Sequence, residues 1–167
     1  MRFSTFPRRS RPLQYLSGET FRYLGRRYRL RVVQNDASVK KDIVRLTRGR
    51  FVVSTPGRVS RDQVRALVEH WYRKSAHQVF DGMVSKMFTA FSRRGIERPE
   101  LNIRHMKRRW GSLSSHGRMT LNVRLVEAPR DCIEYVITHE LCHLAHHDHS
   151  PAFWRLLTRI IPFPAAA

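Results

Sequence analysis

The segment Thr138-His139-Glu140-Leu141-Cys142-His143 places two histidines four residues apart, with a glutamate beside the first. On a helix, at 100° per residue, two side chains at that spacing point within about 40° of each other and sit one turn apart. Both imidazoles can then reach one ion. The chemistry this arrangement serves is metal-assisted hydrolysis. The ion lowers the pKa of its water and polarises a carbonyl, while a neighbouring carboxylate takes the water proton and passes it to the leaving group. Glu140 is placed for that role. In a chain with 9 histidines the bare motif arises by chance in about two per cent of shuffled sequences, so its setting matters.

That setting is an amphipathic helix. Pro129 suits a first helical position, and Asp131 and Glu134 put negative charge near its positive end. Ile133, Ile137, Leu141 and Leu144 gather on the side away from the histidines, where they would pack the helix on a core. A catalytic tetrahedral site needs a third protein ligand and one open position. On a continued straight helix His146 would lie some 10 Å along the axis from His139, too far to share an ion. The chain must therefore bend. The breaking signals are Asp148, Ser150 and Pro151, which makes His149 the preferred third ligand and His147 the alternative. One zinc ion per chain follows. Cys142 points away from Glu140 and reads as a packing residue.

The remaining pattern gives the elements that must hold this segment. Phe21 to Val33 alternates, with Tyr28, Leu30 and Val32 on one side and Arg27, Arg29 and Arg31 on the other, after a turn at Gly25. Ile43–Leu46 and Phe51–Ser54 flank Gly49 as a hairpin. Ser60 and Gln63 form a capping box for a long helix ending near Gly95, with a bend expected at Gly82. Leu101 and Ile103 mark one strand and Met119 to Leu125 another, joined by turn-rich Ser112–Gly117. Ser150 and Pro151 open a last helix carrying Phe153, Trp154, Leu157, Ile160 and Ile161. The fold class is α+β: small N-terminal antiparallel strands, a long helix, then a sheet abutting the motif helix and a C-terminal helix. At 167 residues the chain suits one domain, taken as 15–162, between a basic arm at 1–14 (Arg8, Arg9 and Arg11) and a tail at 163–167.

Charge is the other signal. The chain carries a formal charge of +19. Residues 1–60 hold 15 Lys/Arg against 3 Asp/Glu, residues 61–127 hold 14 against 6, and 128–167 hold 3 against 4. Such a balance favours non-specific DNA or RNA as a partner, through Arg27, Arg29 and Arg31 and through Lys107, Arg108 and Arg109. Two cysteines ten residues apart in one helix lie roughly 15 Å apart and do not pair. Together with the lack of an apolar leader or membrane span, they point to a cytoplasmic protein. Oligomeric state leaves no trace in the sequence.

Several runs together carry a family resemblance: Met106-Lys107-Arg108-Arg109-Trp110-Gly111-Ser112, Arg118-Met119-Thr120-Leu121-Asn122, His139-Glu140-Leu141-Cys142-His143, and His149-Ser150 before Phe153-Trp154. From about Tyr15 to Pro162 the chain resembles the YgjP-like metal-dependent hydrolases, grouped with zincin metallopeptidases near the SprT-like and WLM-type proteases. The resemblance implies a three-histidine zinc site whose third ligand comes ten residues after the first. It also implies protein or peptide substrates, and a substrate cleft bordered by the strand region holding Trp110, Gly111 and Asn122. Leu113 stands where the family usually has cysteine. Family members also commonly carry more strand-rich sequence before the point matching Tyr15.

The leading reading is thus a zinc metallopeptidase, with nucleic-acid-associated proteins as possible substrates. A nucleic-acid-binding module with a structural or vestigial zinc site is the alternative. Structural zinc prefers four ligands with more cysteine and has no use for Glu140. A metal-dependent amidase or nuclease is a third reading, and nucleases usually need clustered carboxylates, which this sequence lacks.

Overall fold

The computed structural model describes residues 12–34, 40–92 and 95–161. Most of the expected basic arm and the C-terminal tail lie outside these. The chain divides into two compact units, Met1–Lys74 and Ser75–Ala167.

The first unit is a four-stranded sheet, β1 (Thr20–Tyr23), β2 (Arg26–Gln34), β3 (Ile43–Thr47) and β4 (Arg50–Thr55), in the order β1-β2-β4-β3. Two-residue turns make both hairpins. Leu24 and Gly25 have φ of 48° and 79°, and Arg48 and Gly49 have 41° and 75°. That double left-handed geometry matches the twist of flanking strands, and glycine at the second position removes part of its steric cost. The alternating run from Phe21 is therefore two strands with Gly25 between them, and β2 pairs with β4 in parallel. Phe21, Leu30, Phe51 and Val53 are buried on one face with Val64 and Val68 from α1 (Arg61–Ser92). Trp71 and Tyr72 pack edge-on against Phe51 at centroid distances of 4.8 and 5.7 Å.

The α1 helix starts at the expected capping box. The Gln63 N–H donates to Ser60 Oγ at 3.2 Å, and the Ser60 N–H to Gln63 Oε1 at 2.8 Å. Two otherwise orphaned donors are thereby satisfied. The helix runs unbroken through Gly82 and into the second unit, where Ala76, Phe80, Val84 and Phe91 are buried.

The second unit holds β5 (Glu100–Arg104), β6 (Gly111–Leu113) and β7 (Arg118–Asn122), ordered β5-β7-β6, then a 3-10 helix (Val123–Glu127), α2 (Arg130–Cys142) and α3 (Pro151–Ile160). The apolar alternation through Leu125 overran the true strand. Asn122 ends it by accepting the Arg124 N–H on Oδ1 at 3.2 Å, which bends the chain into the 3-10 turn. The short strand β6 sits where only a turn was expected. Its register with β7, Gly111 opposite Leu121 and Leu113 opposite Met119, is closed by Gly117 at φ 72°. Pro129 caps α2 from just outside its first turn. Among the described residues no helix is long and apolar enough to cross a membrane.

The capping box gives a test within the first unit. Ser60→Ala should cost about 1 kcal/mol of stability, read as a lower urea midpoint at unchanged slope. An unchanged midpoint would mean that the cap does not hold the start of α1.

Candidate metal centre

α2 buries Ile133, Val136, Ile137, Leu141 and Cys142, which fixes its rotation and leaves His139 and His143 on a less buried side. The helix stops at Cys142 and winds down in tighter turns. The N–H groups of His143, Leu144 and Ala145 donate to the carbonyls of Glu140, Leu141 and Cys142 at 3.0–3.1 Å. Ser150 is extended, at φ −63° and ψ 166°, and α3 restarts at Pro151. This break brings His149 back. The ligand atoms of His139, His143 and His149 all lie within 4.8 Å of one another, and neither His147 nor Cys142 belongs to the group.

The nitrogens themselves face inward. His149 Nε2 lies 3.1 Å from His139 Nε2, so the two either share a proton or aim lone pairs at a common ion. Two nitrogens each about 2.0–2.1 Å from a tetrahedral ion would be about 3.3 Å apart, so the spacing fits. His143 Nδ1 lies 3.1 Å from the His146 carbonyl, which can only accept. The Nδ1 therefore carries the proton and the Nε2 keeps its lone pair, as a metal-binding imidazole requires. This orienting group is a backbone oxygen, so no residue type announces it in the sequence. Phe153 is buried and packs on all three imidazoles, with centroid distances of 4.9, 4.8 and 4.8 Å. Burial, then the neighbouring His143 and His149, pull the His139 pKa down to about 4. Burial also lowers His143. Neutral imidazoles are the form that binds metal.

Glu140 lies on the same turn and is 9% exposed. Burial lifts its carboxyl to about 7, against a smaller opposing pull from Arg109. Gly111, at the start of β6, lies against it. A Cβ there would sit 2.8 Å from Glu140 Cγ, closer than real Cβ atoms approach, and 3.0 Å from its Oε1, so the Glu140 side chain would have to shift. Asn122 is 3% exposed, and its amide is spent on the chain behind this strand. Its Nδ2 donates to the carbonyls of Met106 and Arg109 at 2.8 and 3.1 Å, and its backbone N–H donates to Trp110 at 2.9 Å. Asn122 therefore fixes the Lys107–Trp110 segment leading into Gly111. Trp110 is half-buried, while Lys107, Arg108 and Arg109 are exposed. Arg27, Arg29 and Arg31 belong to the other unit and are exposed on β2.

With this geometry in place, the relatives are informative. A family model for the YgjP-like metallopeptidase domain matches residues 2–166. The chain belongs to this family. It is accordingly a metal-dependent hydrolase acting on protein or peptide substrates. Among solved structures it is similar to the metallopeptidase zymogen abylysin of Pyrococcus abyssi, with 25% identity and a TM-score of 0.44. That match covers 50% of this chain and 80% of the other. No curated protein matches the chain significantly.

Two outcomes test the surroundings of Glu140. Gly111→Ala should displace the carboxylate and cut hydrolysis on the order of 10–100-fold with metal content unchanged; full activity would show that the close approach is immaterial. The second is a pH effect in metal-free protein. A carboxyl raised from 4.5 to about 7 favours the protonated folded state, so its stabilising contribution is complete below pH 4.5 and is lost as pH rises through 7. Glu140→Gln should therefore gain stability over the parent across that window, as followed by thermal melts. A constant difference at every pH would contradict the burial.

Proposed function

We propose that this YgjP-like metallopeptidase holds one zinc ion through His139, His143 and His149 and hydrolyses peptide bonds with Glu140 as general base. The observation carrying the reading is a group of three imidazoles with inward nitrogens, one residue away from a buried carboxylate. A zinc ion bound there supplies Lewis acidity toward the scissile carbonyl and toward water.

The chain's own residues do the rest. His143, tied to the His146 carbonyl, keeps a fixed ring orientation. Phe153, itself buried, packs against all three rings and seats them. Glu140, held in a dry setting against Gly111, takes a proton from water and delivers it to the departing amine. Its raised pKa suits a group that must both accept and donate near neutrality. The competing reading, a structural metal site in a nucleic-acid-binding module, is less well supported. Among the described residues the group offers three ligands rather than four, with no cysteine. The formal charge of +19 supports substrates that are themselves associated with nucleic acid, and two free cysteines support a cytoplasmic location.

Metal analysis and turnover separate the two readings. The purified protein should hold about one zinc per chain, lost in His143→Ala; Glu140→Gln should keep the zinc while peptide hydrolysis falls by about two orders of magnitude or more. Full occupancy in His143→Ala would remove the ligand assignment, and unchanged turnover in Glu140→Gln would remove the base.

A further inference from the structure

The four strands of the first unit contain seven arginines and not one acidic residue. Register sorts them. Phe21, Tyr28, Leu30, Val32, Val44, Leu46, Phe51 and Val53 belong to the core face. Side chains alternate along a strand and match across paired positions, so the opposite face carries Arg22, Arg27, Arg29, Arg31, Arg45 and Arg50. All six are exposed. Arg22 stands directly across from Arg27, and Arg29 directly across from Arg50. Paired strands lie about 4.8 Å apart and alternate residues about 6.7 Å apart, so the six guanidinium groups form one continuous field. Among the described residues none of the six makes an ion pair. Like charges directly opposite destabilise a sheet. This face therefore carries a standing electrostatic cost that a polyanion would relieve.

We propose that this face binds the phosphate backbone of double-helical nucleic acid without reading its sequence. The inference deepens the view that substrates are nucleic-acid-associated, and it does not depend on the metal site. All six basic residues are arginine, whose planar fork matches phosphate oxygens two at a time. None of the other residues on this face, Thr20, Val33, Ile43, Thr47, Val52 and Ser54, is aromatic, so it offers no platform for stacking single-stranded bases. The one large apolar side chain exposed there is Ile43, 42% accessible on edge strand β3, too little to anchor in lipid. A sheet in which both hairpins are closed by two-residue turns presents these charges with little ordering left to do on binding.

The test is a titration of a random-sequence DNA duplex against the full chain across a salt series. Six neutralised phosphates give a log–log salt slope near −5, so affinity should fall about 10³-fold between 50 and 200 mM salt. Replacing Arg27, Arg29 and Arg31 by Gln keeps three contacts and should bring the slope near −3. That variant relieves opposed like charges, so its melting temperature without DNA should not fall, and the melt checks that the compared protein is folded. Glu140→Gln should bind like the parent, which reads binding apart from hydrolysis. The proposal is overturned by no binding at 50 mM salt, or by an unchanged slope in the strand variant. It is equally overturned if Lys107, Arg108 and Arg109, replaced together by Gln, account for the whole slope. Tighter binding of the matching single strand, or of phosphatidylserine vesicles, would assign the face to another partner and overturn it as well.

Discussion

One straight helix cannot carry three imidazoles to a single point. Two of them, four residues apart, exhaust what its geometry offers, because each further turn moves a side chain about 5.4 Å along the axis. The second unit of this protein is arranged around the break that solves the problem. α2 winds down immediately after His143, six residues pass, and α3 starts at Ser150–Pro151 with His149 brought back beside His139. The His146 carbonyl, freed by the end of the helix, orients the His143 ring, and Phe153 in the first turn of α3 seats all three rings. The termination that completes the histidine group thus also supplies its support.

The carboxylate is governed by an opposite demand. A base used near neutral pH gains from burial, which raises its pKa, yet burial of a charge is costly without compensation. Here the enclosure comes from β6 pressed so close that a Cβ at position 111 would push the Glu140 side chain aside, and the nearby positive charge of Arg109 tempers the shift. Asn122 ties that segment from behind, through two carbonyls and a strand-ending turn. The strand, the loop and the helix each fix a different aspect of one side chain.

Legibility in the sequence followed the range of the interactions. The capping box at Ser60 and Gln63, the restart at Ser150–Pro151 and the Gly49 turn were readable because each is decided within four residues. The spacing of His139 and His143 fixed their common face, and the need for a bend set His146 aside and pointed to His149, with His147 the alternative. The overrun past Asn122 came from trusting alternation where a side-chain cap ends the strand. β6 was hidden because three residues carry too little periodicity, and its pairing with β7 is a tertiary choice. The His146 carbonyl and the contact of Gly111 with Glu140 leave no signature at all, since backbone acceptors and close approaches depend on packing. The arginines of β2 were evident from alternation, whereas adding Arg22, Arg45 and Arg50 to the same face required the register.

Membership of the YgjP-like family establishes metal-dependent peptidase chemistry, and the arrangement of α2 and α3 supplies a specific account of which side chains carry it. That account stands or falls on the coordination sphere. X-ray absorption at the zinc edge of the purified, metal-loaded protein reads it directly. The account predicts three imidazole nitrogens at about 2.0–2.1 Å and one oxygen donor completing four-coordination, with no sulfur contribution. A sulfur shell near 2.3 Å, or fewer than three histidine signatures, would contradict it.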